Sequence, residues 1–267
     1  MASPKNALII YNFNSYDKVS GVESQHLDTL ARLGCSGRMH LEKIPEGSSR
    51  LNDIKQLLGL SGSTEPAEMT QTLLDRFGKM RLGLVSSSAA VIDMAKEAGL
   101  AWTELWRTEP SQPTIDQLVQ IGYQNMEKGL LDCLLVDMTC DQHQALSWNW
   151  SNDILGNALN NQPSLLKCVV TRYPCEQQQQ QQKQQDGWWT DLVPPQSYEF
   201  KNGHRIKVQQ DVKYIGAYFH TETTRADLVD RFDLDIMDRL GCNGSILAWH
   251  YLAEIGHKMG FVPKYGA

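Results

Sequence analysis

The sequence predicts an α/β fold, a three-layer sandwich of helices around a mostly parallel sheet, on three observations. Short apolar runs of strand length recur at Ala7-Leu8-Ile9-Ile10, Arg81-Leu82-Gly83-Leu84-Val85-Ser86, Leu130 to Val136 and Leu165 to Thr171. Segments with helical spacing of apolar residues lie between them, so the chain alternates strand and helix. The strand runs are mostly apolar and do not alternate, as strands covered on both faces are.

The elements follow in order. The first run ends in Tyr11-Asn12-Phe13-Asn14-Ser15, and polar, turn-forming residues there close a strand. Residues 26–33 and 51–60 carry Leu, Ile and Ala at helical spacing, with Gly34 and Gly59 placed as stops. A third helix is predicted over Thr64 to Gly78, its amino end suited by Ser63 or Thr64 followed by Glu65 and Glu68. The strand 81–86 leads into a helix over Ala89 to Ala98, stopped by Gly99. Thr114 to Lys128 reads as a helix with Ile115, Leu118, Val119 and Ile121 on or near one face, before the strand that ends at Asp137. A helix over Trp150 to Leu159 and the breakers Asn160-Asn161-Gln162-Pro163 precede the strand Leu165 to Thr171. Sheet-like text returns at Ile206-Lys207-Val208 and Tyr214 to Tyr218, and helices are predicted over Arg225 to Leu240 and Ser245 to Met259.

The chain has 267 residues, enough for one α/β domain with a full core. We read residues 1–267 as a single domain, interrupted at 176–187 by a glutamine-rich, low-complexity insertion too polar to order itself. No apolar run approaches the roughly 20 residues of a spanning helix, so no membrane partner is expected. Met1-Ala2-Ser3-Pro4-Lys5 enters the first strand without a secretory apolar segment, and the expected location is cytoplasmic. A formal charge of −6 gives no general drive toward nucleic acid. The six cysteines, at 35, 133, 140, 168, 175 and 242, include no Cys-x-x-Cys and read as structural or free thiols.

Ligands of open α/β sheets sit beyond the carboxyl ends of the strands, which directs attention to Tyr11 to Asn14, Ser86 to Ser88, Asp137 to His143 and Arg172-Tyr173. Two stretches near the amino end carry a family resemblance. Gln25-His26-Leu27-Asp28-Thr29-Leu30-Ala31-Arg32-Leu33-Gly34, followed by Pro45-Glu46-Gly47-Ser48-Ser49 and Leu57-Leu58-Gly59, resembles the opening of the alkaline-phosphatase superfamily, in particular its cofactor-independent phosphoglycerate mutase branch. The likeness runs in order over roughly residues 7–175.

The resemblance implies a two-metal phosphotransferase with a serine nucleophile in a Gly-Ser turn, an aspartate after strand one, a His-bearing Asp-x-x-Gly-His stretch, an Asp-His pair after a late strand and a further histidine. Position by position, this chain departs from it. Asn12 stands where the first aspartate belongs. Ser48 and Ser49 occupy the Gly-Ser turn, as tentative nucleophile or as an ordinary helix cap. Asp137, Asp141 and His143 lie in a shortened turn, competent for one metal or simply a polar loop. Arg172 replaces the Asp-His pair with a fixed positive charge, a candidate anion-binding group. His204 and His220 are candidates for the last histidine by chain order alone.

The expectation is therefore an alkaline-phosphatase-like protein without its two-metal centre, a binding or regulatory pseudoenzyme with no cofactor. Its partner would be a protein or a small phosphorylated ligand. The alternative is a divergent phosphatase or phosphomutase that uses Mn or Zn on Asp137, Asp141 and His143, with Ser48 or Ser49 attacking. Three further groups are read as structural. His250, Glu254 and His257 share a helix face without the order a zinc hydrolase needs. The pairs Trp148/Trp150 and Trp188/Trp189 are packing or interface anchors. The acidic residues Asp227, Asp230, Asp233, Asp235 and Asp238, interleaved with Arg225, Arg231 and Arg239, form a solvated helical face.

Overall fold

A computed structural model describes residues 3–16, 22–44, 47, 49–108, 112–140, 144–174, 197–241 and 244–263. Its elements are β1 (Asn6–Asn12), α1 (Gln25–Leu33), β2 (Cys35–Glu42), α2 (Arg50–Leu57), α3 (Pro66–Phe77), β3 (Leu82–Ser86), α4 (Ala89–Glu97), β4 (Trp102–Leu105), α5 (Ile115–Glu127), β5 (Cys133–Asp137), α6 (Gln144–Asn161) and β6 (Leu165–Pro174). A short hairpin, β7 (Phe200–Lys201) and β8 (His204–Arg205), follows, then β9 (Val208–Phe219), α7 (Leu234–Leu240), β10 (Ser245–Leu247) and α8 (Tyr251–Lys258).

Eight strands form one sheet in the order β10-β2-β9-β6-β1-β5-β3-β4. The pairs β6/β1, β1/β5, β5/β3 and β3/β4 are parallel, as is β10/β2, whereas β9 runs antiparallel between β2 and β6. The mostly parallel sheet expected from the alternation is thus present. Period-two geometry divides each strand between the faces. Ala7, Ile9 and Tyr11 of β1 pack with Ile54 and Leu57 of α2, Phe77 of α3, Val91 of α4 and Ile255 of α8. Leu8 and Ile10 face the opposite core, with Leu30 of α1, Val119 of α5, Trp148 of α6 and Met237 of α7. Two apolar cores on the two faces make the three layers.

Three expectations are corrected. The helix read over Arg225 to Leu240 forms only as α7, over Leu234–Leu240. Residues before it find their hydrogen bonds elsewhere: Asp227 accepts from the Ser36 amide at 2.7 Å and Asp28 from the Phe232 amide at 2.8 Å, while Asp233 caps α7. Asp227 is therefore a buried acceptor and not part of a solvated face, and Asp238 pairs with Lys213 at 2.7 Å. The helix read over Ser245 to Met259 begins as β10, because Ser245 to Leu247 pairs in parallel with Arg38 to His40, and becomes helical only through a 3-10 turn at Ala248–His250. The helix read over Trp150 to Leu159 starts six residues earlier and ends at Asn161. Strands β2 and β4 were not anticipated as strands.

Among the described residues no helix is long and apolar enough to cross a membrane. Cys35, Cys133, Cys140 and Cys168 are free thiols. The glutamine-rich insertion, Trp188/Trp189, Cys175 and Cys242 lie outside the described residues.

Candidate functional site

The carboxyl ends of β1, β3, β5 and β6 meet the amino end of α2. Register sets the neighbours: Tyr11 is level with Asp137, Ser86 with Asp137, and Asn12 with Thr171. Ser49 adopts extended backbone and its hydroxyl accepts from the Asn52 amide at 3.2 Å, which starts α2. The first helical residue is then Arg50, and its side chain reaches across to the strand ends.

There it meets Asp137, which is 0 % exposed. Arg50 Nε and Nη2 both lie 2.6 Å from Asp137 Oδ2. Ser86 donates to the same oxygen at 2.6 Å, and the Thr139 amide donates to Oδ1 at 3.1 Å. Arg50 Nη2 also donates to the Ser87 hydroxyl at 2.9 Å, and Ser87 in turn donates to the Thr139 carbonyl at 3.0 Å. The buried carboxylate has its charge balanced and both oxygens engaged, as burial of a charge demands.

Asn12 is equally committed. Its amide donates to Ser147 at 3.0 Å and its oxygen accepts from the Asn14 amide at 3.0 Å. A second ion pair lies one helical turn along α2, where Arg172 Nε stands 3.6 Å from Asp53 Oδ2. The Arg172 guanidinium stacks 4.3 Å over the Phe13 ring. Beneath it, the buried hydroxyls of Tyr11 and Tyr214 are 3.1 Å apart. Burial, and then the Asp53 charge, raises Tyr11 well above an ordinary phenol; burial, then Tyr11, does the same to Tyr214.

The candidate residues separate clearly. Asp137 and Arg172 stand at the ends of β5 and β6, the two strands that flank β1, each against a side chain of α2, and Ser49 acts as the α2 cap. Ser48, Asp141 and His143 lie outside the described residues. His220 is buried at the far end of the sheet, following Phe219, which pairs with Lys167 near the start of β6, and His204 is exposed on the hairpin. Neither belongs to this site. His250 bonds the Phe200 carbonyl at 3.2 Å, His257 the Val262 carbonyl at 3.3 Å, and Glu254 pairs with Lys258 at 3.3 Å, so that helix face is structural. Trp148 is a core residue, and Trp150 packs edge-on against Trp106. Sequence reasoning missed Arg50, Asp53 and Tyr214. Arg50 and Asp53, three apart at the start of a capped helix, share one face, and that spacing was the available signal.

The solved structures place this architecture. A cofactor-independent phosphoglycerate mutase from Thermoplasma acidophilum is similar over 94 % of this chain and 98 % of its own, at 7 % identity and a TM-score of 0.56. The fold is alkaline-phosphatase-like. The alkaline phosphatase of the Antarctic bacterium TAB5 aligns with 98 % of this chain and 100 % of its own at 9 % identity and a TM-score of 0.52. The PH0037 protein of Pyrococcus horikoshii aligns over 100 % of both chains at 10 % identity and 0.61. No family model and no curated protein matches the sequence.

An alkaline-phosphatase-like fold raises the question of divalent metal. Such ions need several oxygen or imidazole donors with free lone pairs. Among the described residues no group of three or more His, Cys, Asp or Glu is placed to hold one. Asn12 and Asp137 spend their oxygens on protein donors, and Arg50 and Arg172 set two fixed cations beside them. Among the described residues no two-metal ligand set is assembled, and Ser48, Asp141 and His143 lie outside them.

Proposed function

We propose that the protein is a non-catalytic, alkaline-phosphatase-like binding or regulatory protein whose ligand is a small phosphorylated anion. The observation that carries this reading is the Arg50–Asp137 pair: a guanidinium sits on the buried carboxylate that ends β5. A guanidinium keeps its proton at any physiological pH and supplies charge and N–H donors. It offers no open coordination position, so it can neither lower the pKa of a bound water nor activate a serine as a metal ion does.

The surroundings support this ligand class. Arg50 and Arg172 are each partly open, with side chains 17 % and 19 % exposed, and both lie against the first turn of α2. Helix amino ends and bidentate guanidinium groups favour phosphate oxygens. Each arginine already answers one buried carboxylate, so the attraction left for a ligand is weak. The reading includes a cytoplasmic location, which the free thiols support.

The test measures metal content, phosphate-monoester turnover with added Mn²⁺ and Zn²⁺, and binding of phenyl phosphate on one purified sample. The reading expects no stoichiometric metal, no turnover, and millimolar phenyl phosphate binding that Arg172→Ala removes. Stoichiometric metal with turnover abolished by Ser48→Ala/Ser49→Ala would overturn it in favour of a phosphotransferase.

A further inference from the structure

A second site lies away from the strand ends, in the groove between α5 and α6. Its floor is apolar, made by Val119 and Ile154, and its walls carry Asp116, Tyr123, Asp153 and Asn157 around a space of about 200 Å³. Asp116 belongs to the first turn of α5 and Asp153 to the middle of α6, so two helices bring two carboxylates to one opening. Neither carboxylate is matched by a cation in the lining.

Tyr123 supplies the independent observation. Its side chain is 4 % exposed and lines the groove, and its hydroxyl has no hydrogen-bond partner among the described residues. A buried hydroxyl left unpaired is costly, and a ligand atom in the groove would satisfy it. Burial, then the Asp116 charge, raises the Tyr123 phenol, so it is a neutral group that can accept from or donate to a ligand. Burial, then the Asp153 charge, raises the Asp116 carboxyl.

We propose that the α5–α6 groove binds a small organic cation, a primary ammonium on a short alkyl stem, with Asp116 and Asp153 taking the charge, Tyr123 the remaining N–H, and Val119 and Ile154 the stem. A hard divalent ion fits less well, because it seeks six or more oxygens and gains nothing from an apolar floor. The volume suits a stem of a few carbons.

The experiment titrates the full chain with n-butylammonium, n-butanol and Mg²⁺, following the Tyr123 and Ile154 resonances by NMR. Butylammonium binds saturably and butanol does not. Asp153→Asn, on an exposed helix position, weakens binding about fivefold, the order of one exposed ion pair, and Tyr123→Phe weakens it while leaving the helical signal intact. The proposal is overturned by an absence of saturable shifts, by butanol matching butylammonium, by equal affinity in both variants, or by Mg²⁺ displacing butylammonium at equal concentration.

Discussion

The guanidinium of Arg50 lies against the carboxylate of Asp137, with Nε and Nη2 both 2.6 Å from one oxygen, and so ties the first residue of α2 to the last residue of β5. The pair is a structural cross-link between a helix and a strand separated by five intervening elements. Removing one partner of such a pair leaves an uncompensated charge on a group that is 0 % exposed. We expect Arg50→Met to destabilise the fold by about 3 kcal/mol. Arg50→Met/Asp137→Leu should cost less than the two single changes summed. Urea unfolding of the four proteins checks both, and additive effects would mean that the two residues do not share their charge.

Acid should loosen the region around the β7–β8 hairpin. His40 stacks on Tyr198 with centroids 4.0 Å apart, and His250 bonds the Phe200 carbonyl at 3.2 Å. Both imidazoles are lowered from 6.5 to about 4, first by burial; Lys213 and Arg38 add to this at His40, and at His250 the Phe200 carbonyl opposes it while Arg76 adds to it. Between these values the unfolded chain binds protons that the folded chain refuses. Their contribution is therefore complete above pH 6.5 and is lost as pH falls toward about 4. Unfolding free energy measured from pH 7 to pH 5 should decline, and His40→Gln/His250→Gln should flatten that decline.

The sheet centre was legible because its chemistry is local. The mostly apolar runs that became β1, β3, β5 and β6 carry their own signal, and so do Gly34 and Gly78 at helix ends. Strand β10 was not legible, since Ser245-Ile246-Leu247 is extended only because β2 lies beside it. The acidic run before α7 misled for the same reason: Asp227 and Asp233 look like helix surface until Ser36 and Ile236 supply their donors. At the site, Asp137 and Arg172 were found by reading strand ends. Arg50 was missed because the family pattern directs the eye to carboxylates, imidazoles and hydroxyls. The spacing of Arg50 and Asp53 marks a shared helix face, but it does not name the partner that Arg50 reaches 87 residues away.

Alkali should act through buried thiols before buried phenols. Burial pushes Cys168 up to about 12 and Cys133 higher still, against 9.0 for an ordinary thiol. Tyr11, Tyr214 and Tyr251 are likewise raised well above 10.0 by burial. In these cases the unfolded chain releases protons that the folded chain keeps, so stability falls as pH rises past the unfolded values. The decline should begin near pH 9, and between pH 9 and pH 10 Cys133→Ala/Cys168→Ala should lose less stability than the wild type, with Cys35 the raised thiol that remains. Thermal midpoints between pH 8 and pH 10.5 test this, and an equal decline in the double variant would reject Cys133 and Cys168 as its source.

Gly34 and Gly47 should respond to alanine for different reasons and by different amounts. Gly34 ends α1 with φ of −105°, a conformation open to any residue, so its constraint is space. A Cβ there would meet the Tyr218 carbonyl oxygen at 2.3 Å and the Leu30 carbonyl oxygen at 2.8 Å, and both are backbone atoms that cannot swing aside. Relief requires α1 to move off β9, which the packing of Leu27 and Leu30 resists. Gly47 has φ of +78° and nothing within 4 Å of an added Cβ, so its cost is backbone strain alone. We expect Gly47→Ala to cost about 1 kcal/mol and Gly34→Ala about 3 kcal/mol or more. Urea unfolding of the two variants side by side gives the comparison, and equal losses would show that the α1–β9 contact yields more readily than its backbone geometry implies.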